Sequence, residues 1–381
     1  MDRNIKLLAL FNFFTDFKLY SGILIIYFAQ VTGSYMLAMS LFAATTIASA
    51  FFEVPTGIYS DRIGRQKTVF LGTISAVFYS IFYALGTSYW LLLIGAILDG
   101  LSKSWYSGNN DALLYESVAE TKDGKTFEHH LGTTSSLFQV ALAISAVIGS
   151  ILAARSFHLI LWLSVIPQII CVIISLKLQE PKKKINIQSN VYTHMKEALQ
   201  LFIKDKRLQL ITMYSVVQYG CGEAIFSFRS AFVVTLWPLW AVGFSKVLSF
   251  IGAAISFWFS GRILKRIKPA TALVVKDITN RIIEFVSYGF PTVYSPVLLS
   301  STSIFYGIGS VATTTILQKQ YSQTERATMD SLVSLFGNIA YAIIAILIGY
   351  IADTYSPRIA LIGASILLIT IIPAVWKLMH K

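Results

Sequence analysis

Long apolar runs alternate with short polar segments along almost the whole chain. Each run is long enough for a helix to cross the hydrocarbon core of a bilayer, which takes about 20 residues. The pattern therefore predicts an all-α membrane protein with twelve transmembrane helices, which we call spans 1 to 12. Their predicted ranges are 5–31, 35–60, 67–86, 88–108, 131–154, 158–178, 208–233, 238–262, 270–290, 294–319, 328–353 and 357–377.

The lysine and arginine residues outside the apolar runs are concentrated in alternate polar segments, beginning with the segment before span 1. The intervening segments contain only Arg155 and Arg358. Cytoplasmic loops of membrane proteins carry such an excess of cations. The pattern predicts a multi-pass protein of the cell (inner or plasma) membrane, with both termini in the cytoplasm.

Composition excludes several classes of protein. Of the 381 residues, 55% are hydrophobic and 13% are charged, which is too few charges for a soluble protein of this length. The net charge of +12 would suggest a nucleic-acid partner in a soluble protein, but orientation in the membrane already explains these cations. Cys171 and Cys221 both lie inside apolar runs, so we expect neither a disulfide nor a thiolate metal site.

A long polar stretch divides the first six spans from the last six. It begins at Gln179, contains three consecutive lysines at 182–184, and includes an amphipathic segment at 192–203. We predict an N-terminal six-helix bundle at 1–178, a cytoplasmic linker at 179–207 and a C-terminal six-helix bundle at 208–381. A weak internal repeat supports two related halves, because Gly57 and Arg62 recur 204 residues later as Gly261 and Arg266.

The polar segment between spans 2 and 3 has a specific pattern of glycines and charges. It reads Gly57-x-x-x-Asp61-Arg62-x-Gly64-Arg65-x-Lys67. In residue type, spacing and position it resembles the cytoplasmic signature loop of the major facilitator superfamily. That resemblance implies two pseudo-symmetric six-helix bundles and transport by alternating access.

The resemblance also implies a cytoplasmic latch. Asp61 would lie at the positive N-terminus of span 11, near Thr328, and Arg65 would contact an acidic residue after span 4, either Asp111 or Glu116. With Gly57, Arg62 and Gly64, these residues would hold the outward-facing state. The alternative is that the loop sets only the topology of the membrane protein.

Ionisable residues inside spans are costly in a bilayer, so each is a candidate for coupling or substrate binding. The candidates are Asp16 and Lys18 in span 1, Asp99 and Lys103 in span 4, and Glu223 and Arg229 in span 7. Asp99 and Lys103 are four residues apart and can form an ion pair on one helix face. The alternative for Asp16 is a structural tie to another helix. In span 9, the residues Asp277, Arg281 and Glu284 form a charged stripe that predicts an internal salt-bridge network.

Two motifs that the resemblance would bring to proton-linked exporters are missing. Ala96 occupies the position of an arginine in span 4, and the small-residue segment 143–150 of span 5 lacks a proline. A phosphate-binding loop, a nucleophile–base pair and metal-spaced histidines are also missing from the sequence. We therefore expect neither an enzyme nor a bound cofactor.

The sequence thus favours a secondary active transporter of a small molecule. The leading hypothesis is proton-coupled efflux of small, largely apolar compounds by an antiporter. The alternatives are a nutrient importer for sugars or amino acids and a non-transporting receptor on the same fold. The expected partners are a small-molecule substrate, protons or sodium as coupling ions, and the lipid bilayer, with the protein acting as a monomer.

Overall fold

The computed structural model describes residues 3–120, 127–180, 202, 206–318 and 326–373, and those residues are almost entirely helical. Spans 1 to 6 are formed by Arg3–Asp16 with Leu24–Thr32, Tyr35–Ile63, Arg65–Leu85, Tyr89–Tyr106, Phe127–Ala153 and Phe157–Lys177. Spans 7 to 12 are formed by Lys206–Val233, Leu239–Leu264, Pro269–Gly289, Ser295–Ser301 with Thr302–Phe305 and Tyr306–Gln318, Arg326–Thr354 and Pro357–Ile369. The predicted all-α architecture with twelve spans is confirmed.

Seven helices of the described residues are long and apolar enough to cross a membrane by length and composition. The other five spans do not meet this criterion of length and apolar composition. Span 1 is interrupted, span 12 has 13 described residues in its main helix, and spans 4, 7 and 9 carry charged side chains.

The structure corrects the prediction at four places. Span 1 is not continuous, because helix stops at Asp16 and resumes at Leu24. Span 2 runs on to Ile63, so Gly57 lies within a helix and not in a turn. A further helix, Asn109–Glu120, follows span 4. Span 10 changes to a 3-10 helix at Thr302–Phe305 before α-helix resumes.

Serine residues start three of the spans. The hydroxyl groups of Ser34, Ser156 and Ser356 accept hydrogen bonds from the backbone N–H groups of Leu37, Leu159 and Ile359. Each bond satisfies one of the N–H groups that a helix N-terminus leaves without an intrahelical partner. The caps fix where spans 2, 6 and 12 begin.

Distances between Cα atoms divide the chain into two compact units, Met1–Ile187 with Pro238–Phe244 and Gln188–Trp237 with Ser245–Lys381. In the first unit, span 1 packs on spans 5 and 6, and span 4 packs on spans 2 and 3. In the second unit, span 7 packs on spans 11 and 12, and span 9 packs on spans 10 and 12. The predicted linker at 179–207 lies outside the described residues except at 179, 180, 202, 206 and 207, and the predicted domain limits stay a prediction.

Each unit has its own buried core. The core of the first unit joins span 1 to span 3, to the helix after span 4 and to span 6, through Ile5, Leu8, Phe11, Val69, Leu113, Leu114 and Cys171. In the second unit, the buried rings of Phe232 and Tyr288 meet edge to face with centroids 5.1 Å apart. Cys171 and Cys221 are both buried and free.

Candidate functional sites

The interruption of span 1 is stabilised by polar side chains of span 6. The hydroxyl of Ser164 accepts the backbone N–H of Leu19 at 3.0 Å. The side-chain amide of Gln168 lies 3.4 Å from the carbonyl oxygens of both Phe14 and Thr15. Irregular backbone inside a membrane protein is tolerated where neighbouring groups satisfy it, and such breaks are common at transport sites.

Span 5 approaches the same interruption through a glycine. A side-chain Cβ at Gly149 would overlap the carbonyl oxygen of Leu19. The small-residue segment 143–150 therefore has a definite role, since its glycine lets the irregular backbone of span 1 lie against span 5.

Two of the predicted coupling residues lie at the interruption. Asp16 ends the first helix of span 1, and Lys18 follows two residues later in the irregular segment. The ammonium of Lys18 lies 5.2 Å from the ring centroid of Tyr79 in span 3. The helical spacing assumed from the sequence does not apply to this pair, because the helix stops between them.

Span 4 brings a second pair of charges to the same region. Lys103 Nζ lies 3.1 Å from Asp99 Oδ2, so the ion pair predicted from the spacing is present. Asp99 and Lys103 both interact electrostatically with Asp16. The four coupling or substrate candidates predicted in spans 1 and 4 thus lie in one region; they are Asp16, Lys18, Asp99 and Lys103. We call them the span-1 charge cluster.

In the second unit, Glu223 is surrounded by tyrosines from three spans. Its carboxyl group interacts with the hydroxyl of Tyr306 in span 10. Tyr219, one turn earlier in span 7, and Tyr341 of span 11 also interact with it. The side chains of Glu223, Tyr219, Tyr306 and Tyr341 form what we call the Glu223 site.

Arg229, the other candidate in span 7, belongs to a different cluster. Its guanidinium donates to the carbonyl oxygen of Leu299 at 2.9 Å and lies 3.8 Å from the carboxylate of Glu284. Arg281 also pairs with Glu284, at 2.7 Å, and Ser365 donates to the same carboxylate at 2.7 Å. Because Glu284 is buried and shared by two arginines, this network ties spans 7, 9, 10 and 12 together.

The rest of the span-9 stripe is also internally paired. Asp277 lies 3.0 Å from the ammonium of Lys276 and accepts a hydrogen bond from the hydroxyl of Tyr214 at 3.0 Å. Of the predicted salt-bridge network, Arg281 and Glu284 pair with each other, whereas Asp277 pairs with Lys276. Arg229 and Lys276 are partners that the spacing did not indicate.

At the signature loop, the turn consists of Gly64 alone. Gly64 has a φ of +97°, in the region that favours glycine, and the helices of spans 2 and 3 end and begin on either side of it. Gly57 takes no part in the turn and has open space around it. The polar residues between them extend the helix of span 2, since its ladder of backbone hydrogen bonds continues to Gly64.

Arg65 contacts Glu116 rather than Asp111. Its Nε lies 3.8 Å from Glu116 Oε1, and its guanidinium donates to the side chain of Asn109 at 2.9 Å. Asp111 is exposed in the first turn of the helix after span 4, whereas Glu116 is buried. Arg62 is exposed. The side chains of Asp61 and Thr328 lie outside the described residues, so their predicted contact stays a prediction.

Glu180 was not identified from the sequence as a residue that contacts the signature loop. The carboxylate of Glu180 accepts the backbone N–H groups of Arg65 and Gln66, at 2.9 and 2.8 Å. Asn4 holds the neighbouring Gln179 through two backbone hydrogen bonds, at 2.8 and 3.0 Å. A carboxylate directly after span 6, on the predicted cytoplasmic side, was a usable signal because such groups favour helix N-termini.

Comparison with known proteins settles the family. A family model described as Major Facilitator Superfamily matches residues 7–280. The chain belongs to the major facilitator superfamily. The resemblance of the signature loop is thereby confirmed, and the protein is a multi-pass membrane transporter of this superfamily.

Individual relatives are distant. The uncharacterized MFS-type transporter YxaM of Bacillus subtilis (strain 168) is 21% identical over 352 residues, which cover 88% of this chain and 86% of YxaM. A class H tetracycline resistance protein of Pasteurella multocida is 25% identical over 142 residues, 37% of this chain and 34% of its own length.

Solved structures share the fold over the full length. The nucleoside transporter NupG superposes with a TM-score of 0.83 and 17% identity, covering 99% of this chain and 100% of NupG. A bacterial homolog of the human lysosomal transporter Spinster superposes with a TM-score of 0.78 and 12% identity, covering 98% of this chain and 95% of its own. At these identities the likeness concerns the fold.

Proposed function

We propose that this transporter exports small, largely apolar compounds in exchange for protons across the cell membrane, with both termini cytoplasmic and as a monomer. The observation that supports the proposal is the span-1 charge cluster, Asp16, Lys18, Asp99 and Lys103, beside an interrupted helix. Interrupted helices are common at coupling sites, and ionisable groups inside a membrane mark ion or substrate pathways.

Asp16 is the proposed proton carrier. It has Lys18 as a near neighbour, while Asp99 has Lys103 at 3.1 Å. Protonation of Asp16 would leave the cluster with an unpaired cation, which is costly in a low-dielectric interior. The irregular backbone of span 1 would then rearrange more readily than a continuous helix, so that proton binding and conformational change are coupled.

The contact of Arg65 with Glu116 is the proposed latch on the cytoplasmic side. Together with Asp61 it would hold the outward-facing state and open on switching. Export as the direction is supported by the tetracycline resistance relative, whereas the fold shared with a nucleoside transporter is compatible with either direction. Import of a nutrient such as a sugar or amino acid is therefore the second candidate.

The experiment is proton movement in proteoliposomes that contain the purified protein and a trapped pH-sensitive dye. The panel comprises tetracycline, chloramphenicol, ethidium, uridine, glucose and single amino acids, each added with and without an imposed pH gradient. Proton release coupled to drug accumulation supports export, and movement with uridine, glucose or an amino acid supports import. If no compound causes proton movement, the panel is repeated with an imposed sodium gradient. If no compound gives a signal with either ion, the receptor alternative remains.

The matched variants are Asp16→Asn and Asp353→Asn. Asp353 is exposed near the end of span 11, so the same change there should leave proton movement intact. Loss of the signal in Asp16→Asn with an unchanged Asp353→Asn supports Asp16 as the proton carrier. Equal signals in both variants contradict that role.

A further inference from the structure

We propose that Lys246 is the internal counter-ion of Glu223 and restricts the Glu223 site to uncharged compounds that contain a ring and hydrogen-bonding groups. The inference rests on the proposed transport function and adds a substrate class to it. Lys246 lies in span 8, and none of the sequence patterns singled it out.

Lys246 is held against span 7 near Glu223. Its side chain is buried, with 6% of its surface exposed. Its Nζ donates to the backbone carbonyl of Phe226 at 2.7 Å and lies 3.7 Å from the centroid of the Phe226 ring. Phe226 is three residues after Glu223, so the carbonyl and the ring hold the ammonium about one helical turn along span 7 from the position of Glu223.

The Lys246 ammonium interacts electrostatically with Glu223 and with Arg229. Arg229 is already engaged by Glu284 and by the carbonyl of Leu299. Glu223 is therefore the carboxylate left to balance Lys246. The remaining groups that interact with Glu223 are the tyrosine hydroxyls of the site, which are uncharged.

The surrounding unit has a surplus of positive charge. Among the described residues of the second unit, the buried charged side chains are Arg229, Lys246, Lys276, Arg281, Asp277 and Glu284. When the half-buried Glu223 is included, this set contains four cations and three carboxylates. A cationic cargo would add to this surplus, and an anionic cargo would meet Glu223 itself. Both are unfavourable where the surroundings screen charge poorly.

Uncharged polar groups and aromatic faces complete the site. The hydroxyl of Tyr219 lies 3.3 Å from Asn338 Oδ1, and that of Tyr341 lies 3.2 Å from Ser227 Oγ. Tyr219 and Tyr306 are 47% and 52% exposed, so part of each ring surface is open to a planar cargo, while the Tyr306 ring also meets Phe257 edge to face. Rings for stacking together with hydroxyl, amide and carboxyl groups suit an uncharged ring compound with hydrogen-bonding substituents.

Removing the counter-ion should reverse this selectivity. A carboxylate among three tyrosines, without its lysine, resembles the aromatic sites that bind organic cations. The Lys246→Met variant should therefore gain affinity for a planar cation. Lys246→Arg keeps the charge and should behave like the wild type.

The test is calorimetric binding to the purified full-length protein in detergent. The probes are chloramphenicol, which is aromatic, hydroxylated and uncharged, and ethidium, which is a planar cation. We expect the wild type to bind chloramphenicol more tightly than ethidium. Lys246→Met and a second neutral variant, Lys246→Gln, should bind ethidium at least tenfold more tightly than the wild type. The double variant Glu223→Gln/Lys246→Met should lose that gain.

Three outcomes would overturn the inference. They are unchanged ethidium affinity in both neutral variants, a gain that persists when Glu223 is also neutral, and tighter binding of ethidium than chloramphenicol by the wild type. Binding requires no gradient, so the two proposals fail separately. If the Lys246 variants change binding selectivity as expected but the proteoliposomes show no flux, only the transport proposal is overturned. If the proteoliposomes show gradient-driven flux but the Lys246 variants keep the wild-type selectivity, only the proposed counter-ion role of Lys246 is overturned.

Discussion

The carboxylate of Glu180 accepts the backbone N–H of Arg65 at 2.9 Å, across 115 residues of chain. The same carboxylate accepts the N–H of Gln66, so it occupies the N-terminus of span 3. Glu180 is the second residue of the predicted linker, which begins at 179. The end of span 6 is thus attached to the signature loop by a charge on a helix dipole.

Replacing Glu180 with Gln should lower the stability of the first unit. The neutral amide keeps one acceptor but loses the negative charge at the helix N-terminus, which contributes about 0.3–1 kcal/mol. We expect a lower midpoint of thermal unfolding in detergent. Glu53→Gln is the control, because Glu53 is exposed and its contact with Ser107 is long, at 3.5 Å. Equal midpoints for the two variants would contradict the cap.

Gly149→Ala should disrupt the interruption of span 1. The added methyl group would overlap the carbonyl oxygen of Leu19, and backbone cannot move aside as easily as a side chain. Overpacking of this kind costs about 1–3 kcal/mol. We expect reduced stability, measured by thermal unfolding, and reduced transport in the proteoliposome assay.

The matched control for Gly149 is in the same span. Gly132 has open space where a Cβ would lie, so Gly132→Ala should be neutral or slightly stabilising. If both glycine variants behave like the wild type, the close approach between spans 1 and 5 is not required.

Glu116→Gln should impair transport more than Asp111→Asn. Glu116 is the acidic partner of Arg65 at 3.8 Å, whereas Asp111 is exposed. The measure is the rate of proton movement with whichever compound the wild type transports. A greater loss with Asp111→Asn would show that the other acid is the partner during the cycle.

Asp61→Asn should slow switching while folding stays nearly intact. The reason is the predicted position of its carboxylate at the N-terminus of span 11. Transport rate and thermal midpoint, measured on one preparation, separate the two effects. A wild-type transport rate in this variant would rule out the latch role of Asp61.

Arg358→Met should destabilise the second unit. The guanidinium donates to the carbonyl oxygens of Tyr288 and Gly289, each at 2.6 Å, and so caps the C-terminus of span 9. Loss of such charge-assisted bonds costs about 1.5–3 kcal/mol. The control is Arg155→Met, because Arg155 is an exposed arginine on the same predicted side of the membrane. Thermal unfolding should separate the two variants, and equal midpoints would contradict the cap.

Much of the site could be predicted where chemistry depends on local spacing. The ion pair of Asp99 and Lys103 follows from a four-residue step on one helix. The network around Glu284 was indicated by the span-9 stripe in the same way. The contacts of Arg229 could not be predicted in this way, because its partners lie 55 to 73 residues away in spans 9 and 10.

The sequence by itself determined the all-α class, the twelve spans and the family. These follow from the length of apolar runs, from the distribution of cations and from one loop pattern, all of which are local properties of the chain. Only the tertiary structure decided where span 1 breaks, which acid meets Arg65, and what Lys246 and Glu180 contact. The physical reason is that a break or a buried charge is stable only when a distant segment supplies its partner. Ser164, for example, bonds the N–H of Leu19 across 145 residues.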